Sequence, residues 1–205
     1  MSWRDGLDAL NLNKGAFQSS NDFGIPDMKK QDFEVKNLIP YRVNQDRNGT
    51  AHFYLDDYRF ERCWNNPLQQ LKSLKEYEGV LTPDFSMYLD YPKALQVWQT
   101  YRNRWLGCYW QQEGFQVIPT IGWSDKSSFE FAFSGVEKGS TVSVGTVGIL
   151  KDKNTVKLFL AGFEEMLRRI EPSCVLVYGN KIRELEGISY IKWFQPYSSK
   201  WNKEI

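Results

Sequence analysis

Residues 154–180 read NTVKLFLAGFEEMLRRIEPSCVLVYGN, and this stretch decides the fold class. Its first part has the period of a helix. Val156, Phe159, Leu160, Phe163, Leu167 and Ile170 form one apolar stripe, and Glu164, Glu165, Arg168 and Arg169 fall largely on the other side. Asn154 reads as the N-cap and Pro172 as the stop. Cys174-Val175-Leu176-Val177 is then unbroken apolar sequence, the pattern of a strand buried on both faces. It ends in Tyr178-Gly179-Asn180. A helix feeding a doubly buried strand is half of a βαβ unit, so the same rhythm is expected elsewhere in the chain.

Working outward, the rhythm recurs. Upstream, Thr141-Val142-Ser143-Val144 runs into Gly145-Thr146-Val147-Gly148, and Phe115 to Ile121 runs into Gly122-Trp123-Ser124-Asp125, with a short helical turn over 126–133 between them. Pro92 opens a long helix that carries Leu95, Trp98, Arg102, Trp105 and Tyr109 on one side and ends at Gly114. Gly79-Val80-Leu81 is a strand that stops at Thr82-Pro83-Asp84. A helix over about 66–77 carries Leu68, Leu71 and Leu74. His52-Phe53-Tyr54-Leu55 precedes Asp56-Asp57, and Ile188 to Ile191 reads as a last strand. Strand starts near 51, 79, 115, 141, 174 and 188 give a typical step of about 30 residues, the length of a βαβ unit. Alternation of this kind implies a parallel sheet with right-handed crossovers. Six such strands fall short of the eight of a complete barrel, so a reduced or distorted (β/α) barrel is expected, with an open doubly wound sheet as the alternative.

Residues 1–50 differ in composition, being rich in Asn, Asp, Gly, Lys and Gln, with turn signals at Phe23-Gly24-Ile25-Pro26 and Arg47-Asn48-Gly49. They read as an N-terminal arm anchored by Phe17, Phe23, Phe33, Leu38 and Ile39, with residues 51–205 as a single α/β domain. A chain of 205 residues suits one sizeable core. A net charge of +1 gives no global attraction to nucleic acid or an acidic membrane. The aromatic share of 16% stands out; it reads as core, or as the lining of a cleft for a flat or sugar-like ligand. Cys63, Cys108 and Cys174 lack the spacing of a disulfide framework, which fits a reducing cytoplasm. The opening MSWRDGLDAL has no apolar run, and no stretch reaches the length of a membrane span.

In parallel α/β folds, ligands bind beyond the carboxyl ends of the strands. Those ends supply Asp57, Asp84 and Asp125 as candidate catalytic groups, and Trp123, Ser124, Thr146, Tyr178 and Asn180 as candidate ligand contacts. Each has a bland reading as a helix cap or turn residue. Asp84 is the strongest, because Pro92 rather than Asp84 opens the next helix. Carboxylates at three strand ends suit Mg²⁺ or Mn²⁺, whereas one His and three scattered Cys do not supply a zinc site. Two carboxylates could instead act as an acid–base pair on a sugar, with Trp123 as platform. Arg102 and Arg104 alternate with aromatics in Tyr101-Arg102-Asn103-Arg104-Trp105, a pattern that suits phosphate and base contacts or, equally, long side chains covering core edges. His52, at a strand start, reads as structural. No phosphate-loop signature G-x-x-x-x-G-K-[ST] and no G-x-S-x-G elbow occurs.

The strings FYLDDYRFERCWNNP (53–67), GVLTPDFSMYLDYPKALQVWQTYRNRWLGCYWQ (79–111), VIPTIGWSD (117–125), GSTVSVGTVG (139–148) and LVYGN (176–180) together resemble a family catalogued as domain of unknown function 4417, found in bacteria, phages and plasmids. The resemblance covers about residues 50–182. It implies a phage or mobile-element context and a cytoplasmic protein. It implies no activity and transfers no catalytic residue. Three functions therefore remain open on the residues. One is binding, with or without catalysis, of a phosphate-bearing ligand such as a nucleotide or nucleic acid at the strand ends. Another is non-enzymatic inhibition or recruitment of a host or phage protein. The last is sugar hydrolysis by paired carboxylates.

Overall fold

The structure is a computed structural model that describes residues 15–43 and 46–196. The long stripe around Phe163 forms helix α5 (Lys153–Ile170), which buries Phe159, Phe163, Met166 and Ile170 and leaves Leu167 half-buried. Its N-cap is Asp152 rather than Asn154: the Asp152 carboxylate accepts the Thr155 backbone N–H at 2.9 Å. Asp outcompetes Asn here because its charge also opposes the positive end of the helix. The helix stops at Glu171, which takes a left-handed conformation (φ 48°) just ahead of Pro172. Strand β6 (Cys174–Tyr178) follows.

The remaining elements alternate. They are β1 (Leu38–Pro40), β2 (Thr50–His52), α1 (Glu61–Asn65), α2 (Pro67–Leu74), β3 (Gly79–Leu81), α3 (Lys93–Gln112), β4 (Val117–Ile118), α4 (Phe129–Ala132), β5 (Thr141–Gly145) and, after β6, β7 (Ile191–Phe194). All strand pairs are parallel, as expected. They form a four-stranded sheet, β1-β2-β3-β4, and a three-stranded sheet, β5-β6-β7. The run 175–177 lies in the middle strand of the second sheet and is buried on both faces. Beyond β4 the chain touches the second sheet: Ser143 N–H donates to Pro119 O at 2.9 Å, and Ile121 N–H to Ser143 O at 2.8 Å.

Two expectations shift. Leu38 and Ile39, placed in the arm, lie in β1 and pair with Thr50 and Ala51. Three residues ending in proline carry no period of their own, so their strand character comes from the partner. The last strand is Ile191–Phe194, not 188–191; its register against Val175–Tyr178 puts Ile191 and Trp193 against the apolar layer under α5.

Side chains alternate across the sheets. Val142, Val144, Val175 and Val177 pack under α5, and Ala51, Phe53, Val80 and Val117 pack against the layer holding Trp105, Leu106 and Trp110 of α3. A third cluster gathers the opposite faces: Leu81, Ile118 and Leu176, with Leu38, Tyr54 and Phe194 partly buried beside them. It draws on both sheets.

Candidate functional site

Beyond the ends of β3 and β4 the backbone is held by a buried polar network from α3. Asn103 donates from Nδ2 to Pro83 O (2.7 Å) and Thr120 O (3.2 Å), and its Oδ1 accepts from Thr82 Oγ1 at 2.9 Å. Thr82 and Thr120 bond each other twice, both at 2.7 Å. Arg104 is almost wholly buried and donates to the backbone carbonyls of Thr120, Ala132 and Ser134 and to Asn103 Oδ1. It has no carboxylate partner among the described residues, and burial lowers its pKa to about 10. The network fixes the chain just where both strands end.

Asp84 follows directly. Its carboxyl makes no hydrogen bond or ion pair among the described residues. It lines a small cavity of about 20 Å³, room for roughly one water, beside Thr120, Gly122, Asn103 and Arg104. Burial first, and then the nearby Asp57 charge, push its pKa up to about 7. Asp57 sits in a single 3-10 turn after β2 (Asp57–Arg59) and is held by Ser86, whose backbone N–H (3.1 Å) and Oγ (2.8 Å) donate to its two oxygens. The loops after β2 and β3 are thus tied together around two carboxylates.

On the inner side of this site stands Tyr54. Its ring stacks flat on Tyr178 (4.8 Å, 6°), and Gly145 leaves room for it: a Cβ there would lie 2.9 Å from the ring. Ser143 Oγ donates its one proton to Leu176 O (3.1 Å), so the Tyr54 phenol must be the donor in its 2.7 Å contact with Ser143 Oγ. Burial, and then the Asp84 charge, raise the Tyr54 pKa well above its ordinary value. His52 is fully buried against Tyr178 (4.3 Å), its Nδ1 accepts the Tyr54 backbone N–H at 3.2 Å, and burial lowers its pKa to about 3. The Nδ1 acceptor role places the proton on Nε2.

The other expected site residues are engaged in local structure. Asp125 is exposed and caps the turn after it, accepting from Ser127 N–H (2.9 Å) and Oγ (2.7 Å); the Ser127 hydroxyl bond is the main cause of its lowered pKa. Ser124 is buried, and its backbone N–H donates to Ser128 Oγ. Trp123 packs on Phe159 and against α5, where a Cβ on Gly162 would lie 2.2 Å from its Nε1. Thr146 is buried and donates to Asn180 O at 2.8 Å, while the Asn180 side chain is exposed. Arg102 pairs with Glu61 (2.5 Å) and lies 3.8 Å over the Phe85 ring. Among the described residues no group of three or more His, Cys, Asp and Glu is placed to hold a metal, so Asp57, Asp84 and Asp125 do not assemble as a trio.

Residues 17–195 match the family model described as domain of unknown function (DUF4417). The chain belongs to this family. It is 38% identical over 203 residues to the gene 1 protein of Mycobacterium phage L5, covering 96% of this chain and 87% of that one. The gene 1 protein of Mycobacterium phage D29 is 36% identical over 207 residues, covering 97% of this chain and 76% of that one. No solved structure matches. The DUF4417 match extends past the 50–182 core of motifs on both sides, so it takes in β1 and β7 as well as the carboxylates. Within that DUF4417 span the sequence pointed to Asp57 and Asp84 but not to Tyr54, Thr120, Asn103 or Ser143. The available signal was parity: His52 and Tyr54, two apart, share a face opposite Phe53, and Ser143 interrupts an apolar strand.

Proposed function

We propose that this DUF4417 protein binds a polar ligand at the carboxyl ends of its parallel strands, with Asp84 as the group that exchanges a proton with it. The observation that carries this is the unpartnered Asp84 carboxyl on its cavity, with a pKa near 7, where a carboxyl can both give and take a proton. Tyr54 and Thr120 are the neighbouring polar groups. The architecture that supports the site is a distorted (β/α) barrel: strand order follows the sequence within each sheet, Ser143 links them, and one cluster takes inner side chains from both. In that setting the protein is a cytoplasmic protein of a phage or mobile element, in keeping with its phage relatives; among the described residues no helix is long and apolar enough to cross a membrane.

A phosphate-bearing ligand, nucleotide or nucleic acid, is a second reading. With Arg102 and Arg104 both engaged, such a ligand would need a divalent cation, Mg²⁺ or Mn²⁺, which Asp57 and Asp84 would hold and whose charge would offset theirs. The test is native mass spectrometry of the protein purified from its own host, compared with Asp84→Asn. A small-molecule mass retained by the parent and lost from a variant that melts no lower supports the reading. A variant that loses stability, with function tracking only the folded fraction, removes Asp84 from the site.

A further inference from the structure

Large apolar side chains are unevenly exposed. Six of the ten exposed large hydrophobics among the described residues, Val43, Tyr58, Tyr88, Leu89, Val147 and Leu150, lie on the loops and short turns that follow the carboxyl ends of strands. Three of them sit beside the carboxylates: Tyr58 (73% exposed) follows Asp57, and Tyr88 (57%) and Leu89 (65%) follow Ser86, which is hydrogen-bonded to Asp57. Tyr91 meets the Tyr88 ring edge-on at 5.0 Å, extending the apolar patch toward α3. Clustered exposure of this kind marks an interaction surface.

The charges on the same loops say what fits. Asp57, Asp84 and Asp90 make no ion pair among the described residues. Two of the cations close by are engaged: Arg59 faces Asp56 at 3.6 Å and lies 5.5 Å over the Tyr58 ring, and Lys93 faces Glu130 at 2.7 Å. The patch is therefore apolar and acidic on balance, with Arg62 of α1 the exposed cation on these segments that makes no ion pair among the described residues. Nucleic acid and an anionic lipid surface are repelled by it. A segment carrying both apolar and basic side chains is complementary.

We infer that the face formed by the loops after β2 and β3 docks a basic, apolar segment of a partner protein. Apolar side chains lie on Tyr58, Tyr88 and Leu89, and a lysine or arginine reaches toward Asp57 and Asp84. The seat of that cation rests on the proposed Asp84 site; the apolar contact does not.

The experiment uses the full chain and a fluorescent peptide of alternating leucine and lysine, read by anisotropy, with the leucine–glutamate peptide and a single-stranded oligonucleotide in Mg²⁺ as comparisons. The lysine peptide is expected to bind, and the glutamate peptide not to. Asp90→Lys and Leu89→Ser, both at exposed positions, are each expected to weaken binding about tenfold, the effect of one mismatched contact at an interface. Both variants keep the pH titration of Asp84, so their loss of binding separates this surface from the Asp84 reading. Three results overturn the inference. One is a lysine peptide that binds no better than the glutamate one. Another is parental affinity in both variants. The last is tighter binding of the oligonucleotide, which also favours the cation-bridged phosphate reading.

Discussion

The two sheets are held in different ways. In the sheet of β5, β6 and β7 the strands have 5, 5 and 4 residues, and continuous parallel ladders set their register. In the sheet of β1 to β4 the strands have 3, 3, 3 and 2 residues. Ladders that short specify register weakly. There the ends of β3 and β4 are fixed by side chains instead, through Thr82, Thr120, Asn103 and Arg104. The candidate site lies on the second kind of scaffold. A backbone clamped by buried polar groups can end its strands early and present a carboxyl at a fixed point.

The sharpest way to break this contrast is Arg104→Ala. It leaves three carbonyls and the Asn103 amide oxygen short of a donor and opens a cavity, for an expected loss of about 5 kcal/mol. Hydrogen exchange should rise first in β3 and β4, with β5 and β6 still protected. A uniform loss of protection would mean that the two sheets do not differ. The counterpart is Phe163→Ala, expected to cost about 4 kcal/mol by denaturant unfolding and to loosen β5 and β6 first.

Next comes the pH dependence of Asp84. Its folded pKa of about 7 lies above the unfolded value, so the folded state holds the proton more tightly. Stability is then unpenalised below about pH 4 and declines as pH rises through 7, by up to about 4 kcal/mol, a figure reduced by the partial exposure of the carboxyl. Asp84→Asn should abolish this decline and be the more stable protein above neutral pH. Equal melting curves of the two at pH 8 would contradict it. His52 acts in the opposite sense, because its depressed pKa costs stability as pH falls below about 6.5 toward 3. The smallest effect is at the boundary of the helical layer. Gly162→Ala gains helix propensity but drives a methyl into Trp123, for a net loss of about 1–2 kcal/mol.

What could be read from the residues follows the same contrast. The α5–β6 unit was legible because a full apolar stripe and a five-residue apolar run have unambiguous periods. β1 was not, because Leu38-Ile39-Pro40 has no period and acquires its shape by pairing with β2. Asp57 and Asp84 were visible as polar stops after apolar runs, and so were Asp125 and Thr146. Identity alone could not tell a capping carboxylate from an unpartnered one, since the difference is whether Ser127 or nothing stands opposite. Arg102 and Arg104 looked like phosphate contacts for a similar reason: their carbonyl and carboxylate partners lie up to 41 residues away in sequence.

Tyr54 also sets an order of assembly. Its phenol bonds Ser143, 89 residues further along the chain, and its ring lies on Tyr178. Neither contact can form until both sheets exist, and closing so long a loop carries a large entropic cost before any contact repays it. The junction is therefore expected to close after the rate-limiting step of folding. Tyr54→Phe should speed unfolding while leaving the refolding rate almost unchanged, a φ-value near zero in a stopped-flow chevron. The candidate site at that junction would then be the last part of the molecule to come into being, and the first to be lost when the chain opens.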